Sequence, residues 1–174
     1  MGGSEAVTSG EREEMTYEVF GGAVRELARQ IVEDGFEPDW LVAIARGGLL
    51  IGGALGYALP LKNIATINVE FYTDVDERRD APIYLPPVLN LVDLAESSVL
   101  VVDDVADTGI TLDMVLNLLQ PSVAEVRSAV IYEKSRSIVK PHYVWKRTDL
   151  WINFPWSTEP PIRTPQRIDR AATT

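Results

Sequence analysis

Residues 99–112 read VLVVDDVADTGITL and are the most informative part of the chain about its fold class. Four apolar residues lead into two adjacent aspartates, Asp103 and Asp104, and a third aspartate, Asp107, comes just before Gly109. A short apolar run of this kind is typical of a strand that is buried on both faces of a sheet. The turn residues and the helical spacing that follow it predict a helix that begins near Gly109. The stretch therefore predicts a strand, an acidic edge and a helix N-terminus in direct succession.

The patterns on both sides of this stretch alternate between strand and helix. Apolar residues at three- and four-residue spacing, or small-residue runs, predict helices, and short apolar or β-branched runs predict strands. Helices are predicted at residues 17–32, 49–59 and 109–119. Strands are predicted at residues 40–45, 64–72, 98–104 and 126–134. Strands separated by helices imply an α/β fold with a central, mostly parallel sheet flanked by helices.

The ends of the chain differ from its middle. Residues 1–14 are small, polar and acidic, which predicts a disordered lead-in whose acidic run faces solvent. Residues 15–160 are expected to form one domain, in which residues 141–160 hold three of the four tryptophans and form a small irregular hood. Residues 161–174 are expected to form an extended polar tail. Within the domain, the charged and proline-bearing residues 73–87 predict a mobile loop.

The composition limits the class of protein. With 174 residues, 46% of them hydrophobic, the chain is long enough for one domain with a packed core. A formal net charge of -10 and a pI of about 4.6 argue against binding nucleic acid or an anionic membrane. The lack of cysteine and the single histidine exclude a disulfide framework, thiolate catalysis and a multi-histidine metal site. Without a secretory signal or a membrane-spanning run, we expect a cytoplasmic protein.

The residues after the predicted third strand suit an anionic ligand. Ligands of parallel sheets collect at the carboxyl ends of the strands, and backbone N–H groups at a helix N-terminus attract anions. We call residues 106–111 the phosphate cradle, although they lack the lysine and the spacing of a Walker loop. Asp103 and Asp104 suit a diol or a magnesium ion beside it. A solvated strand end followed by an ordinary helix cap is the alternative interpretation.

Four motifs resemble those of one enzyme family. Residues 99–111 resemble the phosphoribosyl diphosphate motif of type I phosphoribosyltransferases, and AIARGGL (residues 43–49) resembles their diphosphate loop. EKSRS (residues 133–137) and LWINFPW (residues 150–156) resemble the lysine element and the hood of bacterial 6-oxopurine enzymes, which include the xanthine-guanine and hypoxanthine-guanine phosphoribosyltransferases. The resemblance covers residues 17–161 and implies the type I phosphoribosyltransferase fold.

The resemblance implies how the phosphoribosyl donor is held. Arg46, Gly47 and Gly48 would hold the diphosphate through a guanidinium and backbone amides. Asp103 and Asp104 would bind the ribose hydroxyls, partly through Mg2+, which makes both of them candidate metal ligands. The 5-phosphate would lie in the cradle, whose residues are Ala106, Asp107, Thr108, Gly109, Ile110 and Thr111.

It also implies how a base is recognised. Asp107 would act as the catalytic residue, as proton acceptor or donor near purine N7. Lys134 would donate to the 6-oxo group, a role that suits an ammonium because it has donors and no acceptor. Trp151 would stack on the ring, and the backbone of Ile152 would read its edge. The residues by themselves leave a solvated turn at Lys134 and Arg136 equally open.

The implied activity is purine salvage by a magnesium-dependent 6-oxopurine phosphoribosyltransferase. The phosphoribosyl group would pass from phosphoribosyl diphosphate to N9 of guanine, hypoxanthine or xanthine, with the loop at residues 73–87 closing over the site. A homodimer or homotetramer is expected from the resemblance. The alternatives are a non-catalytic sensor of nucleotide or phosphoribosyl diphosphate on the same fold, and a transferase for a pyrimidine or another acceptor.

The hood departs from the related enzymes at two positions. Asn153 and Ser157 stand where those hoods carry acids, so no ranking among the three oxopurines is carried over. Three further aromatic or imidazole residues receive structural roles: Trp145 and Trp156 are expected to pack the hood, and His142 is expected to be structural.

Overall fold

A computed structural model describes residues 11–70, 83–85 and 91–162 of the chain. The strands in these residues are β1 (Arg12–Glu14), β2 (Trp40–Ala45), β3 (Ile64–Glu70), β4 (Ile83–Leu85), β5 (Ser98–Ala106), β6 (Glu125–Glu133), β7 (Tyr143–Arg147) and β8 (Trp151–Asn153). The helices are α1 (Tyr17–Glu33), α2 (Gly47–Ala58) and α3 (Ile110–Leu119), with a 3-10 helix at Leu91–Leu94. None of the helices within these described residues has the length and hydropathy of a membrane-spanning segment.

The main sheet has the strand order β4-β3-β2-β5-β6-β7. The strands β3, β2, β5, β6 and β7 pair in parallel, and β4 pairs antiparallel with β3 at the edge of the sheet. This is the α/β fold with a mostly parallel sheet that the alternating pattern predicts. A second, two-stranded sheet joins β1 in parallel to β8.

Side chains that alternate along the strands build a core on each face of the main sheet. On β2, Leu41 belongs to the core beneath α1 and α2, whereas Val42 belongs to the core beneath α3. The same alternation separates Leu100 from Val101 on β5. Both strands are therefore buried on both faces, as their unbroken apolar runs predict.

Local signals set the bounds of α1. The Thr16 side chain accepts a hydrogen bond from the backbone N–H of Val19 at 3.2 Å, which caps the helix N-terminus. Gly35 has φ +71 just beyond the C-terminus, a left-handed conformation that glycine adopts without a side-chain clash. The helix predicted at residues 17–32 is thus confirmed, with one further residue at its C-terminus.

Long-range strand pairing changes four of the predicted boundaries. The third predicted strand continues from Asp104 to Ala106, because β6 pairs with this extension. Residues 143–147 of the predicted irregular hood form β7, which pairs with β6 at the edge of the main sheet. Residues 83–85 of the predicted mobile loop form β4, and the rest of that loop lies outside the described residues, as do residues 163–174 of the predicted tail. Residues 12–14 of the predicted disordered lead-in form β1.

Candidate active site

The predicted site residues meet where β2 and β5 lie side by side. β3 pairs on one side of β2 and β5 on the other, so the connections after these strands diverge and leave a crevice at their carboxyl ends. Arg46 follows β2 directly, Gly47 and Gly48 begin α2, and the end of β5 carries Asp103 and Asp104. The topology therefore brings the predicted diphosphate loop to the acidic edge.

Close packing explains the two glycines of the diphosphate loop. A Cβ at Gly47 would overlap the carboxylate of Asp104, and a Cβ at Gly48 would overlap the backbone carbonyl of Val102. Only glycine lets the backbone come this close to β5. The peptide bond between Ala45 and Arg46 is cis, and Arg46 stands at the N-cap of α2 without a side-chain cap bond.

Burial makes the ionised forms of Asp103 and Asp104 costly. Burial, and next the charge of Asp104, raises the pKa of Asp103 well above its usual range. Burial also raises the pKa of Asp104, although hydrogen bonds, the largest from the Val105 backbone, oppose the rise. The backbone N–H of Asp104 donates to Oδ1 of Asp103 at 2.9 Å. The acidic edge therefore suits a ligand that brings positive charge or hydrogen-bond donors.

These two carboxylates fit Mg2+ that shares its coordination with a ligand. Among residues 11–70, 83–85 and 91–162, no cluster of three or more metal-ligating side chains could hold an ion. Mg2+ usually takes one or two protein carboxylates and completes its shell with water and substrate phosphates. Asp103 and Asp104 can supply the protein's share of such a shell.

The phosphate cradle is a tight turn followed by the N-terminus of α3. Gly109 has φ +78 and caps the helix, and a Cβ there would overlap Oγ of Ser137. The backbone N–H of Ile138 donates to the carbonyl of Thr108 at 2.9 Å. The segment after β6 thus packs against the cradle and supports it. The backbone N–H groups of the cradle, at the start of α3, can bind an anion.

Lys134 is held at the end of β6, next to the cradle. Its backbone N–H donates to the carbonyl of Ala106 at 3.0 Å, and its side chain is buried. The ammonium Nζ lies 3.6 Å from Oδ1 of Asp107 and 5.8 Å from the ring centroid of Trp151. The burial of Lys134 contradicts a solvated turn for this lysine, whereas Ser135 and Arg136, in the turn that follows it, are exposed. Trp151 itself is 65% exposed, so one face of the indole is available.

Two cavities adjoin at Ser157. The first, which we call the Lys134 cavity, measures about 310 Å³ and is lined by Val105, Asp107, Lys134, Trp151, Ile152, Asn153, Phe154 and Ser157. The second, the Arg46 cavity, measures about 840 Å³ and is lined by Arg46, Gly47, Leu50, Asp104, Trp156, Ser157, Glu159, Pro160, Pro161 and Ile162. Both volumes lie in the range of small-molecule sites. The Lys134 cavity thus contains the three predicted base residues, and the Arg46 cavity contains Arg46 and Gly47 of the predicted diphosphate residues.

The hood is anchored by the N-terminal strand. Asn153 pairs with Glu14 across the β1–β8 ladder, and its side chain accepts from Arg12 Nη1 at 3.1 Å and donates to Glu14. Glu13, predicted to face solvent, is mostly buried and accepts from Lys146 Nζ at 2.5 Å. The prediction of a disordered lead-in is therefore wrong for residues 12–14, because the strand partner lies more than 130 residues away. The prediction that the acidic run faces solvent is wrong for Glu13 alone, since Arg12 and Glu14 are exposed.

The tryptophans and the histidine largely take the expected structural roles. Trp145 packs edge-on against Tyr132 with ring centroids 5.5 Å apart, and His142 Nδ1 accepts from the backbone N–H of Ser128 at 3.2 Å. Trp156 stacks on Phe154 at 4.8 Å, as expected of hood packing, but it also lines the Arg46 cavity.

Two charged groups near the site are missed by the sequence patterns. Arg136 binds Asp107, with Nε donating to Oδ1 at 2.8 Å. Glu133 is buried, and burial would raise its pKa, but hydrogen bonds from Lys140 and Arg147 outweigh burial and lower the pKa. The apolar pattern of β6 indicates neither contact, because Asp107 lies 29 positions from Arg136 and Arg147 lies 14 positions from Glu133, at the end of β7.

Comparison with known proteins identifies the family. A family model described as a phosphoribosyl transferase domain matches residues 17–163. The chain belongs to the phosphoribosyltransferase family, and the predicted type I fold is confirmed.

The similar proteins include purine enzymes. Over 124 residues the chain is 33% identical to the xanthine-guanine phosphoribosyltransferase of Gluconobacter oxydans, an alignment that covers 69% of each protein. A purine phosphoribosyltransferase from Pyrococcus horikoshii has a TM-score of 0.75 at 31% identity, over 88% of this chain and 99% of that chain. The Helicobacter pylori xanthine-guanine-hypoxanthine phosphoribosyltransferase has a TM-score of 0.69 at 27% identity, over 84% of this chain and 93% of that chain.

Proposed function

We propose that this protein is a magnesium-dependent 6-oxopurine phosphoribosyltransferase of purine salvage. It transfers the 5-phosphoribosyl group from phosphoribosyl diphosphate to N9 of guanine, hypoxanthine or xanthine and releases diphosphate. The observation that carries the proposal is the Lys134 cavity, in which a buried ammonium, a carboxylate and an exposed indole adjoin the phosphate cradle. The names of the similar enzymes support the same class of substrate.

The two cavities divide the substrates between them. In the Arg46 cavity, the diphosphate would contact Arg46 and the backbone at Gly47, with Asp104 beside it. The 5-phosphate would lie on the N–H groups at the start of α3, and Asp103 and Asp104 would bind the ribose hydroxyls. The purine would enter the Lys134 cavity. In this arrangement, the anomeric carbon of the phosphoribosyl donor would lie at the junction of the two cavities and would face N9 of the purine.

Base selection would follow from hydrogen-bond polarity in the Lys134 cavity. An ammonium donates and cannot accept, so Lys134 matches the 6-oxo group of an oxopurine and opposes the 6-amino group of adenine. Asp107 would face N7, as acceptor from an N7–H base or as donor when protonated. Trp151 would stack on the ring, with the Ile152 backbone at its edge.

Two acidic residues and the ligand would hold Mg2+ at the end of β5. When bound, Mg2+ supplies charge neutralisation for the leaving diphosphate. The side chains of the protein orient the donor and base so that the reacting atoms are close, and positioning of this kind accounts for much of the rate in two-substrate reactions.

A base panel tests the proposal. Purified protein with Mg2+ and phosphoribosyl diphosphate is expected to form a nucleoside monophosphate from at least one of guanine, hypoxanthine and xanthine, and none from adenine or uracil. Replacing Lys134 by methionine keeps the buried volume but removes the donor, so we expect KM for the oxopurine to rise about tenfold or more. Lys62→Met, at an exposed lysine outside both cavities, is the matched control.

Other outcomes identify the alternatives. Binding of phosphoribosyl diphosphate without any product would favour the sensor, and turnover of uracil would favour a pyrimidine transferase. Unchanged kinetics in Lys134→Met would contradict the role assigned to this lysine.

A further inference from the structure

Arg136 is bound to Asp107 by two donors on one oxygen. Its Nε donates to Asp107 Oδ1 at 2.8 Å, and its Nη2 donates to the same oxygen. The proposed reaction gives Arg136 no role, yet its partner is the carboxylate placed beside purine N7. The contact therefore bears on how Asp107 is presented to a base.

The backbone on both sides of Arg136 is held in place. Ser135 N–H donates to Oδ1 of Asp149 at 2.9 Å, and Ser137 N–H donates to the carbonyl of Lys134 at 3.0 Å. Ile138 N–H donates to the carbonyl of Thr108, in the cradle itself, at 2.9 Å. The arginine thus extends from a turn fixed to the same loop that carries Asp107, a geometry that favours a defined contact.

Hydrogen-bond polarity assigns the two oxygens of Asp107 different roles. A guanidinium has donors only, so Oδ1 must act as an acceptor. Lys134 Nζ lies 3.6 Å from the same Oδ1. Asp107 lines the Lys134 cavity. Because Arg136 and Lys134 both lie next to its Oδ1, the other oxygen, Oδ2, can accept a hydrogen bond from a base in that cavity.

We propose that Arg136 is a positioning residue that holds Asp107 with Oδ2 turned toward N7–H of the base. The proposal rests on the proposed oxopurine site and adds to it the residue that selects the N7–H form. An ion pair this exposed contributes little to folding stability. Its effect should therefore appear in base recognition while the melting temperature stays the same.

Two base analogues that react poorly or not at all can test the hydrogen bond at position 7 separately from the other contacts of the base. In 9-deazahypoxanthine an N–H group occupies position 7, whereas in 7-deazahypoxanthine a C–H group does; the 6-oxo group is the same in both. We would measure their dissociation constants by calorimetry with saturating Mg2+ and ribose 5-phosphate. The wild-type protein is expected to prefer the 9-deaza base by about tenfold or more, the strength of a hydrogen bond to a charged group.

Arg136→Ala should remove this preference by weakening 9-deazahypoxanthine alone, leaving the 7-deaza affinity within about twofold. Arg136→Lys keeps the charge but cannot place two donors on one oxygen, so it should lose the preference as well. Arg29→Ala is the matched control, because Arg29 is an equally exposed arginine paired with one acid, Glu26, on the surface of α1. It should keep the wild-type preference.

The wild-type measurement separates the two levels of the proposal. If the wild-type protein binds neither base, the oxopurine site is wrong and the role of Arg136 is wrong with it. If the wild-type protein shows the preference and Arg136→Ala retains it, or binds the 9-deaza base more tightly, only the role of Arg136 is overturned. Tighter binding of the 9-deaza base by Arg136→Ala would mean that the arginine obstructs the cavity until the base displaces it.

Discussion

At the scale of single residues, the site sets three aspartates in two environments. Burial raises the pKa of Asp103 and of Asp104, which marks them as partners for cationic or donor groups. Asp107 instead lies next to two cations, Arg136 and Lys134. The acidic cluster in the sequence therefore forms two sites. Asp103 and Asp104 lack a cationic partner within the described residues, whereas Asp107 already has two, as the proposed roles require.

Asp107→Asn tests the second of these sites. The amide keeps the shape of the carboxylate but cannot accept a proton from the base, so we expect kcat with hypoxanthine to fall about 100-fold or more. KM for phosphoribosyl diphosphate should stay within about threefold, as measured by steady-state kinetics. Asp113→Asn, in the first turn of α3 but outside the cavity lining, is the control. An equal loss in both constants would mean that Asp107 only shapes the cradle.

Asp103→Asn tests the first site through stability. Burial disfavours the ionised carboxyl in the folded protein, and the amide removes that cost while its Oδ1 can still accept from the Asp104 N–H. We expect the ligand-free variant to be about 1 kcal/mol more stable at neutral pH, or about 2–4 °C higher in melting temperature by calorimetry. A lower melting temperature would show that the carboxylate is satisfied within the protein.

At the scale of elements, the start of α2 and the end of β6 hold the site together. The first two residues of α2, Gly47 and Gly48, lie so close to β5 that glycine is required. At the end of β6, the buried Glu133 accepts from Lys140 Nζ at 2.8 Å and from Arg147 Nε at 2.7 Å. One carboxylate thus ties β6 to β7 and to the segment after β6 that supports the phosphate cradle.

A pair of glycine substitutions in α2 separates the close approach from helix propensity. Gly47→Ala places a methyl group in the Asp104 carboxylate, so it should abolish activity and destabilise the fold by about 1–3 kcal/mol. Gly53→Ala meets nothing within 4 Å and should stabilise the helix by about 0.5–1 kcal/mol. Urea unfolding and the base assay measure both effects. Wild-type activity in Gly47→Ala would contradict the assigned loop geometry.

Glu133→Gln tests the tie between β6 and β7 and its dependence on pH. The lowered pKa means that the folded chain binds fewer protons than the unfolded chain, so the stabilisation is full above the usual pKa of 4.5 and is lost as pH falls below it. We expect the variant to be about 1–2 kcal/mol less stable at pH 7, because charged hydrogen bonds become neutral ones.

The difference between wild type and Glu133→Gln should shrink as the pH of the urea unfolding experiment is lowered below about 4.5. Glu37→Gln, at an exposed glutamate, is the control and should have the same stability as wild type both at pH 7 and below about pH 4.5. A constant difference across the range would point to lost packing and not to charge.

At the scale of the whole molecule, a net charge of -10 opposes anionic ligands everywhere except at locally positive sites. The helix N-termini of α2 and α3, with Arg46, supply such sites. Mg2+ would complete them by compensating the acidic edge. Cytoplasmic location and a homodimer or homotetramer remain predictions, which fractionation and light scattering can check.

Ligand linkage gives the whole-molecule prediction. Phosphoribosyl diphosphate with Mg2+ at about 100 times its Kd should stabilise the fold by about 2.7 kcal/mol, which raises the melting temperature by about 5–10 °C for a chain of this size. Chelation of Mg2+ with EDTA should remove most of the shift, as differential scanning fluorimetry will measure. A shift that survives chelation would contradict the magnesium role of Asp103 and Asp104.

Much of the fold and of the site follows from local sequence. The apolar run that forms β2, the cap and stop of α1, and the order of strand, acids and helix around Asp103 depend on signals within a few residues. Because parallel strands end at one edge of a sheet, the same reasoning brings Arg46 and Lys134 to that edge.

Local sequence signals therefore suffice to predict the alternating α/β fold and the residue types at its carboxyl edge, since periodicity and turn chemistry are short-range. Three features are seen only in the folded protein: residues 12–14 pair with the hood, residues 143–147 extend the main sheet, and Arg136 binds Asp107 across 29 positions. Pairings of this kind depend on which distant segments the packed core brings together, and the local pattern of either partner does not record them.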